Sequence, residues 1–138
     1  KEVPVVIRVI KPEGMGNIQL EETPTPEFNS RQVLVRVAKT LISRGSKLFR
    51  RYIMEEAVSP SIMDYSLTGT IEQIGSEVTE YQVGQRVMVV APHAQYAIGD
   101  VDSPIKGSIV PLMENVSFEE GTFLLLAKEA SLGWFIWR

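Results

Sequence analysis

Few side chains in this 138-residue sequence could do chemistry, and the most distinctive of them is its single histidine, His93. A histidine titrates near neutral pH, so His93 could transfer a proton to or from a ligand. The alternative is a structural residue at the end of a strand, hydrogen-bonded or facing solvent. The sequence has no cysteine, which excludes disulfides and thiolate metal sites, and one histidine cannot hold a metal unaided.

The sequence also lacks the usual nucleotide-binding motifs. Gly14-Met15-Gly16 begins like the dinucleotide motif G-x-G-x-x-G, but Gln19 occupies the third glycine position and no βαβ pattern surrounds it. We therefore expect a hairpin turn there. Charge is nearly balanced, with 14 Lys+Arg against 17 Asp+Glu, and the longest apolar stretch is far shorter than the ~18 residues of a membrane span. We expect neither a nucleic-acid nor a membrane partner, and the lack of cysteine fits a cytoplasmic protein.

The elements that must position these residues are mostly strands. Segments rich in Val, Ile and Thr, separated by glycine and proline clusters, predict a mainly β domain. The predicted strands are Val3–Ile10, Ile18–Glu21, Val33–Val37, Leu67–Ile74, Arg86–Val90, Ala94–Ile98 and Ser108–Leu112. Near-helical spacing predicts a short helix within Ser46–Glu56. Ser117 and Glu120 form a capping-box pattern, which opens a C-terminal helix predicted to run from Phe118 to about Leu132.

Three spaced glycines mark the most informative run of the chain. Gly75 follows a strand and predicts a turn with positive φ, and Gly84 predicts a bend or a close backbone approach. With Gly69 and Arg86-Val87 they form a pattern that resembles the N-terminal, GroES-like domain of medium-chain dehydrogenases/reductases, G-x-V-x-x-V-G-x-x-V-x-x-F-x-x-G-D-R-V. Gln85 departs from that pattern, which has Asp.

Two further segments extend this resemblance over nearly the whole chain. Val33–Val37 is similar to the family's V-L-V-K-V strand, and Val116–Gly121 is similar to V-S-F-E-E-A, which opens the helix toward the cofactor domain. The resemblance implies a GroES-like, partly open β-barrel with a short helix and a C-terminal helix. We interpret 1–138 as one such domain, with 117–138 beginning the connection to a nucleotide-binding domain that is missing from this chain.

The resemblance also bears on whether a metal is bound. In zinc-dependent members, the metal lies between a Cys after the V-L-V-K-V strand and the His of a G-H-E motif. Here Ser43 lies near the Cys position, and Asp64-Tyr65-Ser66 occupies the G-H-E position. The four-cysteine lobe of the structural zinc is absent as well. We predict that no zinc is bound, because the chain has no cysteine and one histidine and Tyr65-Ser66 occupies the ligand motif. The loop and Tyr65-Ser66 also resemble zinc-free members.

In zinc-free relatives, hydride moves to or from NAD or NADP while the protein supplies orientation and a proton donor. The resemblance implies that Tyr65, Ser43 and Ser46 polarise or protonate a substrate oxygen; the alternative is that these hydroxyls only cap strands and loops. Arg44 stands where some alcohol dehydrogenases place an arginine on the cofactor pyrophosphate; the alternative is a surface arginine.

The expected function is therefore the substrate-side domain of a zinc-independent NAD(P)-dependent oxidoreductase acting on a small carbonyl, alcohol or enone. This chain alone is expected neither to turn over nor to bind the cofactor tightly. An apolar helical face that includes Phe123 and Trp134 would pack on the missing domain, or else be hidden by self-association into a homo-oligomer or by folding back on the barrel. The alternatives are a non-catalytic binding or assembly module similar to a co-chaperonin, and a pseudo-enzyme.

Overall fold

The computed structural model describes residues 5–41, 53–59, 65–103 and 108–123. The elements in these ranges are β1 Val5–Ile10, β2 Gln19–Pro24, β3 Gln32–Thr40, β4 Tyr65–Ile74, β5 Arg86–Ala91, β6 Tyr96–Asp100, β7 Ile109–Pro111 and helix α1 Phe118–Gly121. Each strand coincides with a segment that was predicted to be β, and the bounds differ by a few residues. The mainly β class is confirmed.

The strands form a curled, antiparallel half-barrel. Five of them make one sheet in the order β6-β3-β4-β5-β7, and β1 and β2 form a separate hairpin. Residues 93–95 join the two sheets: Val9 N donates to His93 O at 3.0 Å, Gln95 N donates to Ile7 O at 2.9 Å, and Val37 N donates to Gln95 O at 2.8 Å. Because 93–95 serves this bridging role, the regular strand β6 begins at Tyr96 and not at the predicted Ala94.

The core lies on the concave face of the five-stranded sheet. It consists of alternate strand residues, mostly valines, together with two loop residues: Val33, Val35, Leu67, Ile71, Val87, Val89, Ala91, Ala97, Val58 and Val78. Burying one such Val or Leu side chain contributes about 1.5–3 kcal/mol. The opposite face of the sheet is also buried at its centre, by Leu34, Ser66, Thr68 and Met88. A slip of one residue between β3 and β4 would exchange the side chains of the two buried faces. The different side chains of the two faces therefore specify the register.

The three spaced glycines have two different structural reasons. Gly84 has φ +90°, so it supplies a backbone conformation that other residues rarely adopt. A Cβ on Gly69 would lie 2.1 Å from Arg36 O on the neighbouring strand, and one on Gly75 would lie 2.4 Å from Ser30 O. The predicted positive φ at Gly75 is wrong, because this glycine is required for close backbone packing and not for its dihedral angles.

Helix α1 begins as predicted but is shorter. The capping box is present: Glu120 N donates to Ser117 Oγ at 3.0 Å, and Ser117 N donates to Glu120 Oε1 at 2.9 Å. The prediction of one continuous helix to Leu132 is wrong, since α1 ends at Gly121 with Thr122 as its C-cap. The Thr122 hydroxyl donates back to Glu119 O at 2.6 Å, and glycine is a weak helix former.

Two other predictions concern the turns. Gly14 and Gly16, with φ of +117° and +64°, lie in the connection between β1 and β2, which confirms the hairpin turn. The helix predicted within Ser46–Glu56 falls largely outside the described residues, and Met54–Glu56 form a bend. The apolar segment 124–138 also lies outside the described residues.

One buried cation fastens the β1–β2 connection to residues 53–59. Lys11 is 1% exposed, and its ammonium donates to Pro12 O and Gly14 O, each at 2.6 Å, and to Glu56 O at 3.2 Å. Val58 N donates to Lys11 O at 2.8 Å. On burial the ammonium loses its hydrogen bonds to water, and three carbonyl acceptors replace them.

Candidate functional site

Three strands end or begin together at one edge of the half-barrel. Thr40, the last residue of β3, pairs with Leu67, and Tyr65, the first residue of β4, pairs with Ala91, the last residue of β5. Leu41 N donates to Ser66 O at 3.0 Å, which holds the exit of β3 against the entry of β4. Leu41, Tyr65 and Pro92 are therefore the described residues at which the chain leaves or joins the sheet at this edge.

Of the residues named from the sequence, Tyr65 begins β4 at this edge. Tyr65 has its backbone in the β4 ladder. Ser43, Arg44 and Ser46, and the side chain of Tyr65, lie outside the described residues. The topology thus attaches the segment that carries Ser43 next to the strand that Tyr65 begins, and the side-chain roles stay predictions.

His93 lies behind the same edge and is buried, with 5% of its surface exposed. Its Nδ1 forms a hydrogen bond with the Thr40 hydroxyl, in which the donor depends on the imidazole tautomer. Burial lowers the pKa of His93 from 6.5 to about 4, because the apolar surroundings disfavour the imidazolium. The imidazole is therefore neutral at neutral pH. The structure makes His93 a buried, hydrogen-bonded residue between β5 and β6 and not a solvent-facing one, and its proton-transfer role stays a prediction.

A groove opens between β1 and the end of β3, beside the His93–Thr40 pair. Its volume is about 300 Å³. The lining residues come from three segments, Ile7–Val9 of β1, Val37–Thr40 of β3, and His93–Gln95. Thr40 is exposed and His93 is buried, so the pair extends from the surface of the groove into the protein. Sequence reasoning did not single out Thr40, which is 53 positions away from His93.

The second buried face of the sheet carries two hydroxyls with different surroundings. Thr68 Oγ1 donates to Phe118 O at 2.8 Å and so ties β4 to α1. Ser66 Oγ, two residues earlier on the same face, is buried and has no hydrogen-bond partner among the described residues. Ser66 directly follows Tyr65 in the segment that resembles the G-H-E motif, and in a strand its side chain lies on the face opposite to that of Tyr65.

The donor set of the described residues does not fit a zinc ion. A catalytic zinc needs about three protein ligands. No group of three His, Asp or Glu side chains comes together within ranges 5–41, 53–59, 65–103 and 108–123. The imidazole of His93 is held by Thr40. Across the same ranges, the helical segments lack the length and apolar character that spanning a membrane requires.

The curled antiparallel sheet, the β1–β2 hairpin and the capped helix define a GroES-like β-barrel domain. The alcohol dehydrogenase GroES-like domain model matches residues 29–111, from the turn before β3 to the end of β7. The chain belongs to this family, within the medium-chain dehydrogenase/reductase superfamily. The recognition made from the glycine pattern is confirmed at this level.

Individual relatives agree with the assignment. An L-threonine 3-dehydrogenase of Mesorhizobium japonicum is 31% identical over 83 residues, which cover 57% of this chain and 24% of that protein. The quinone oxidoreductase of Coxiella burnetii shares the fold with a TM-score of 0.65 and 21% identity, covering 88% of this chain and 41% of the other. Galactitol-1-phosphate dehydrogenase of Escherichia coli gives a TM-score of 0.63 at 18% identity, covering 85% and 41%. The chain spans about a quarter of the length of the curated relatives it matches.

Proposed function

We propose that this chain is the substrate-side domain of an NAD(P)-dependent oxidoreductase that acts on a small carbonyl, alcohol or enone. The match to the alcohol dehydrogenase GroES-like domain carries the proposal. Similar proteins include a threonine dehydrogenase, a quinone oxidoreductase and a sugar-alcohol phosphate dehydrogenase, and these names describe oxidoreductases. Fold likeness alone does not fix an activity, so the chemistry depends on the residues at the loop-bearing edge.

Three hydroxyls named from the sequence would handle the substrate oxygen. The bound nicotinamide supplies or accepts the hydride. Tyr65, Ser43 and Ser46 would bind the oxygen and exchange its proton, since phenol and alcohol hydroxyls both donate and accept hydrogen bonds. Arg44 would contact the cofactor pyrophosphate as a guanidinium donor. The attachment of 42–50 beside the entry of β4 supports this arrangement, because it starts both segments from the same point.

We further propose that the reaction is zinc-independent. Ser43 and Tyr65 stand where zinc-dependent relatives have Cys and His, and the only histidine bonds to Thr40. Metal analysis of the protein expressed from its complete gene, purified without chelator, should find zinc far below one ion per chain. Stoichiometric zinc that is lost together with activity would refute this part of the proposal.

The partner of this domain would be a nucleotide-binding domain in the part of the relatives' length that this chain does not match. The proposed cytoplasmic location rests on the cysteine-free sequence. A homo-oligomer belongs to the same proposal, and sedimentation of the complete protein would test it.

Turnover of the complete protein is the direct test. Reduced nicotinamide would be followed by absorbance with alcohols, ketones, quinones and enones, using both NAD and NADP. Tyr65→Phe should lower kcat/KM by about 10²–10⁴-fold if its hydroxyl exchanges the proton. Thr79→Val, at an exposed turn distant from the edge, is the matched control. Binding of a macromolecular partner with no turnover on any of these substrates would favour the non-catalytic module instead.

A further inference from the structure

The walls of the groove beside β1 combine aliphatic surface with polar side chains, and two of the polar ones, Arg8 and Gln95, are already engaged by Glu21 and by the Ile7 amide. Ile7, Val9 and Val37 supply the aliphatic surface. The hydroxyl of the exposed Thr40 supplies a polar group that is bonded to the buried imidazole of His93. A concave apolar site with few, well-placed polar groups is the usual form of a small-molecule site. The volume of about 300 Å³ is at the lower end of the range for such sites, so the ligand must be small.

The chemistry of the pair matches both members of an alcohol–carbonyl couple. With the proton on Nδ1, the imidazole donates to Thr40 Oγ1, and the Thr40 hydroxyl hydrogen is free to donate to a carbonyl oxygen. With the proton on Nε2, Nδ1 accepts from Thr40, whose oxygen then accepts a hydrogen bond from an alcohol. One hydroxyl can therefore serve either redox state of the ligand through a change of tautomer.

The charges around the groove do not require a charged ligand. The Arg8 guanidinium is engaged by Glu21 at 2.7 Å, and His93 is neutral at neutral pH. Lys39 is the remaining cation among the lining residues, and it is exposed at the rim. An anionic ligand held by Lys39 is therefore the competing outcome that an experiment must separate.

We propose that this groove is a subsite for a small, uncharged alcohol or carbonyl compound, held by a hydrogen bond between its oxygen and the Thr40 hydroxyl, which His93 orients. Thr40 is then a ligand-binding residue, and His93 is a positioning residue. That the bound compound is the substrate rests on the proposed function. The binding itself depends only on the groove.

A cofactor-free titration tests the binding. Nuclear magnetic resonance shifts of the chain would be followed while 2-butanone, 2-butanol or butyrate is added. We expect the ketone and the alcohol to shift signals of Ile7, Val37 and His93. Thr40→Val should weaken both by about 3- to 10-fold, the value of one hydrogen bond. Thr40→Ser, which keeps the hydroxyl, should restore affinity, and Thr79→Val should leave it unchanged.

Three results would overturn the subsite. In the first, Thr40→Val binds the ketone and the alcohol as tightly as the unchanged chain does. In the second, the shifts are confined to other surfaces. In the third, only butyrate binds, and Lys39→Met abolishes that binding. Folding of each variant is checked by its dispersed spectrum, and Thr40→Ser keeps the test informative if Thr40→Val unfolds. The assay uses no cofactor, so groove binding in a protein that lacks turnover would retain the subsite and refute the proposed function. Turnover without groove binding would support the proposed function and refute the subsite.

Discussion

The guanidinium of Arg86 lies 4.6 Å from the centroid of the Phe118 ring, and one of its nitrogens donates to Val116 O. Arg86 ends the glycine-rich pattern and is the first residue of β5, and Phe118 opens α1. The contact therefore joins two segments whose packing the sequence patterns do not predict. A helix as short as α1 is not stable in isolation. It depends on such contacts with the sheet.

Replacing Arg86 should therefore release α1 from β5. Arg86→Met removes the cation–π contact and the hydrogen bond to Val116, and should lower the free energy of unfolding by about 1–3 kcal/mol. The control is Arg8→Met, which removes an exposed ion pair with Glu21 worth about 0–1 kcal/mol. Urea unfolding followed by circular dichroism measures both, and equal losses would contradict the role given to Arg86.

Removing the two hydroxyls on the second buried face should have different effects on stability. Thr68→Val removes the donor to Phe118 O and should cost about 1–2 kcal/mol of stability. Ser66→Ala removes a buried hydroxyl that has no partner, so stability should change by less than about 0.5 kcal/mol or increase. Urea midpoints decide between these outcomes. If Ser66→Ala costs as much as Thr68→Val, the Ser66 hydroxyl is satisfied in solution and the interpretation is wrong.

Substituting the glycines should separate close packing from backbone conformation. Gly69→Ala places a Cβ 2.1 Å from Arg36 O, a backbone atom that cannot move without opening β3 from β4, and should cost more than about 2 kcal/mol. Gly84→Ala meets no atom within 4 Å and should cost about 1 kcal/mol through its positive φ. Thermal melts of both variants test this order, and a larger loss for Gly84→Ala would reverse it.

The glycine spacing was sufficient to predict the domain, but it could not give the reason for each glycine. Gly84 acts through its own dihedral angles, which a local turn pattern can indicate. Gly69 and Gly75 are required because backbone from β3 and from residues 29–30 approaches them, and such approaches depend on the completed sheet. This is why a positive φ was expected at Gly75 and close packing was found.

The sequence predicted which strands carry the segments of the candidate site, but it did not predict the side-chain contacts near it. Strand periodicity located β3 and β4, and antiparallel pairing then placed their connections at one edge. The Thr40–His93 bond spans 53 positions, and the bond from Lys11 to Glu56 spans 45. No local pattern links residues so far apart, so Thr40 and Lys11 carried no signal in the sequence.

Acidification should destabilise the fold through His93. Its pKa is about 4 in the folded protein and 6.5 in an unfolded chain, so between these values the unfolded state binds more protons. The contribution of neutral His93 to the free energy of unfolding is complete above pH 6.5. It falls by at most about 3 kcal/mol as the pH drops toward 4. Urea unfolding at a series of pH values should show this slope, and His93→Gln should flatten it. An unchanged slope in His93→Gln would assign the effect to other groups.

The carboxylates around Arg31 act in a separate, more acidic window. Hydrogen bonds from Arg31 lower the pKa of Glu80 from 4.5 to about 2, so its contribution is present above pH 4.5 and is lost as pH falls toward 2. Asp102 bonds to the same guanidinium, which also lowers its pKa. All three residues are exposed enough for salt to screen them, so the His93 measurement keeps ionic strength constant.

The Lys11 ammonium should be the main attachment of residues 53–59 to the hairpin. Lys11→Met keeps the length of the side chain but removes the ammonium donor from the carbonyls of Pro12, Gly14 and Glu56, of which Gly14 O still accepts from Asn17 N. We expect a loss of about 2–4 kcal/mol in the free energy of unfolding, since bonds from charged donors are each worth about 1.5–3 kcal/mol and methionine recovers part of this by apolar burial.

Lys39→Met is the matched control for this change, because it makes the same substitution at an exposed position and should alter stability by less than about 0.5 kcal/mol. Amide hydrogen exchange adds a local measurement. Val58 N donates to Lys11 O and Gly14 N donates to Glu55 O, so both amides should exchange faster in Lys11→Met while Ile71 N, which donates to Gln85 O within the main sheet, keeps its protection. If the two lysine variants unfold alike and exchange alike, the fold merely accommodates the buried ammonium, and the attachment of 53–59 depends on the Val58 and Gly14 backbone bonds alone.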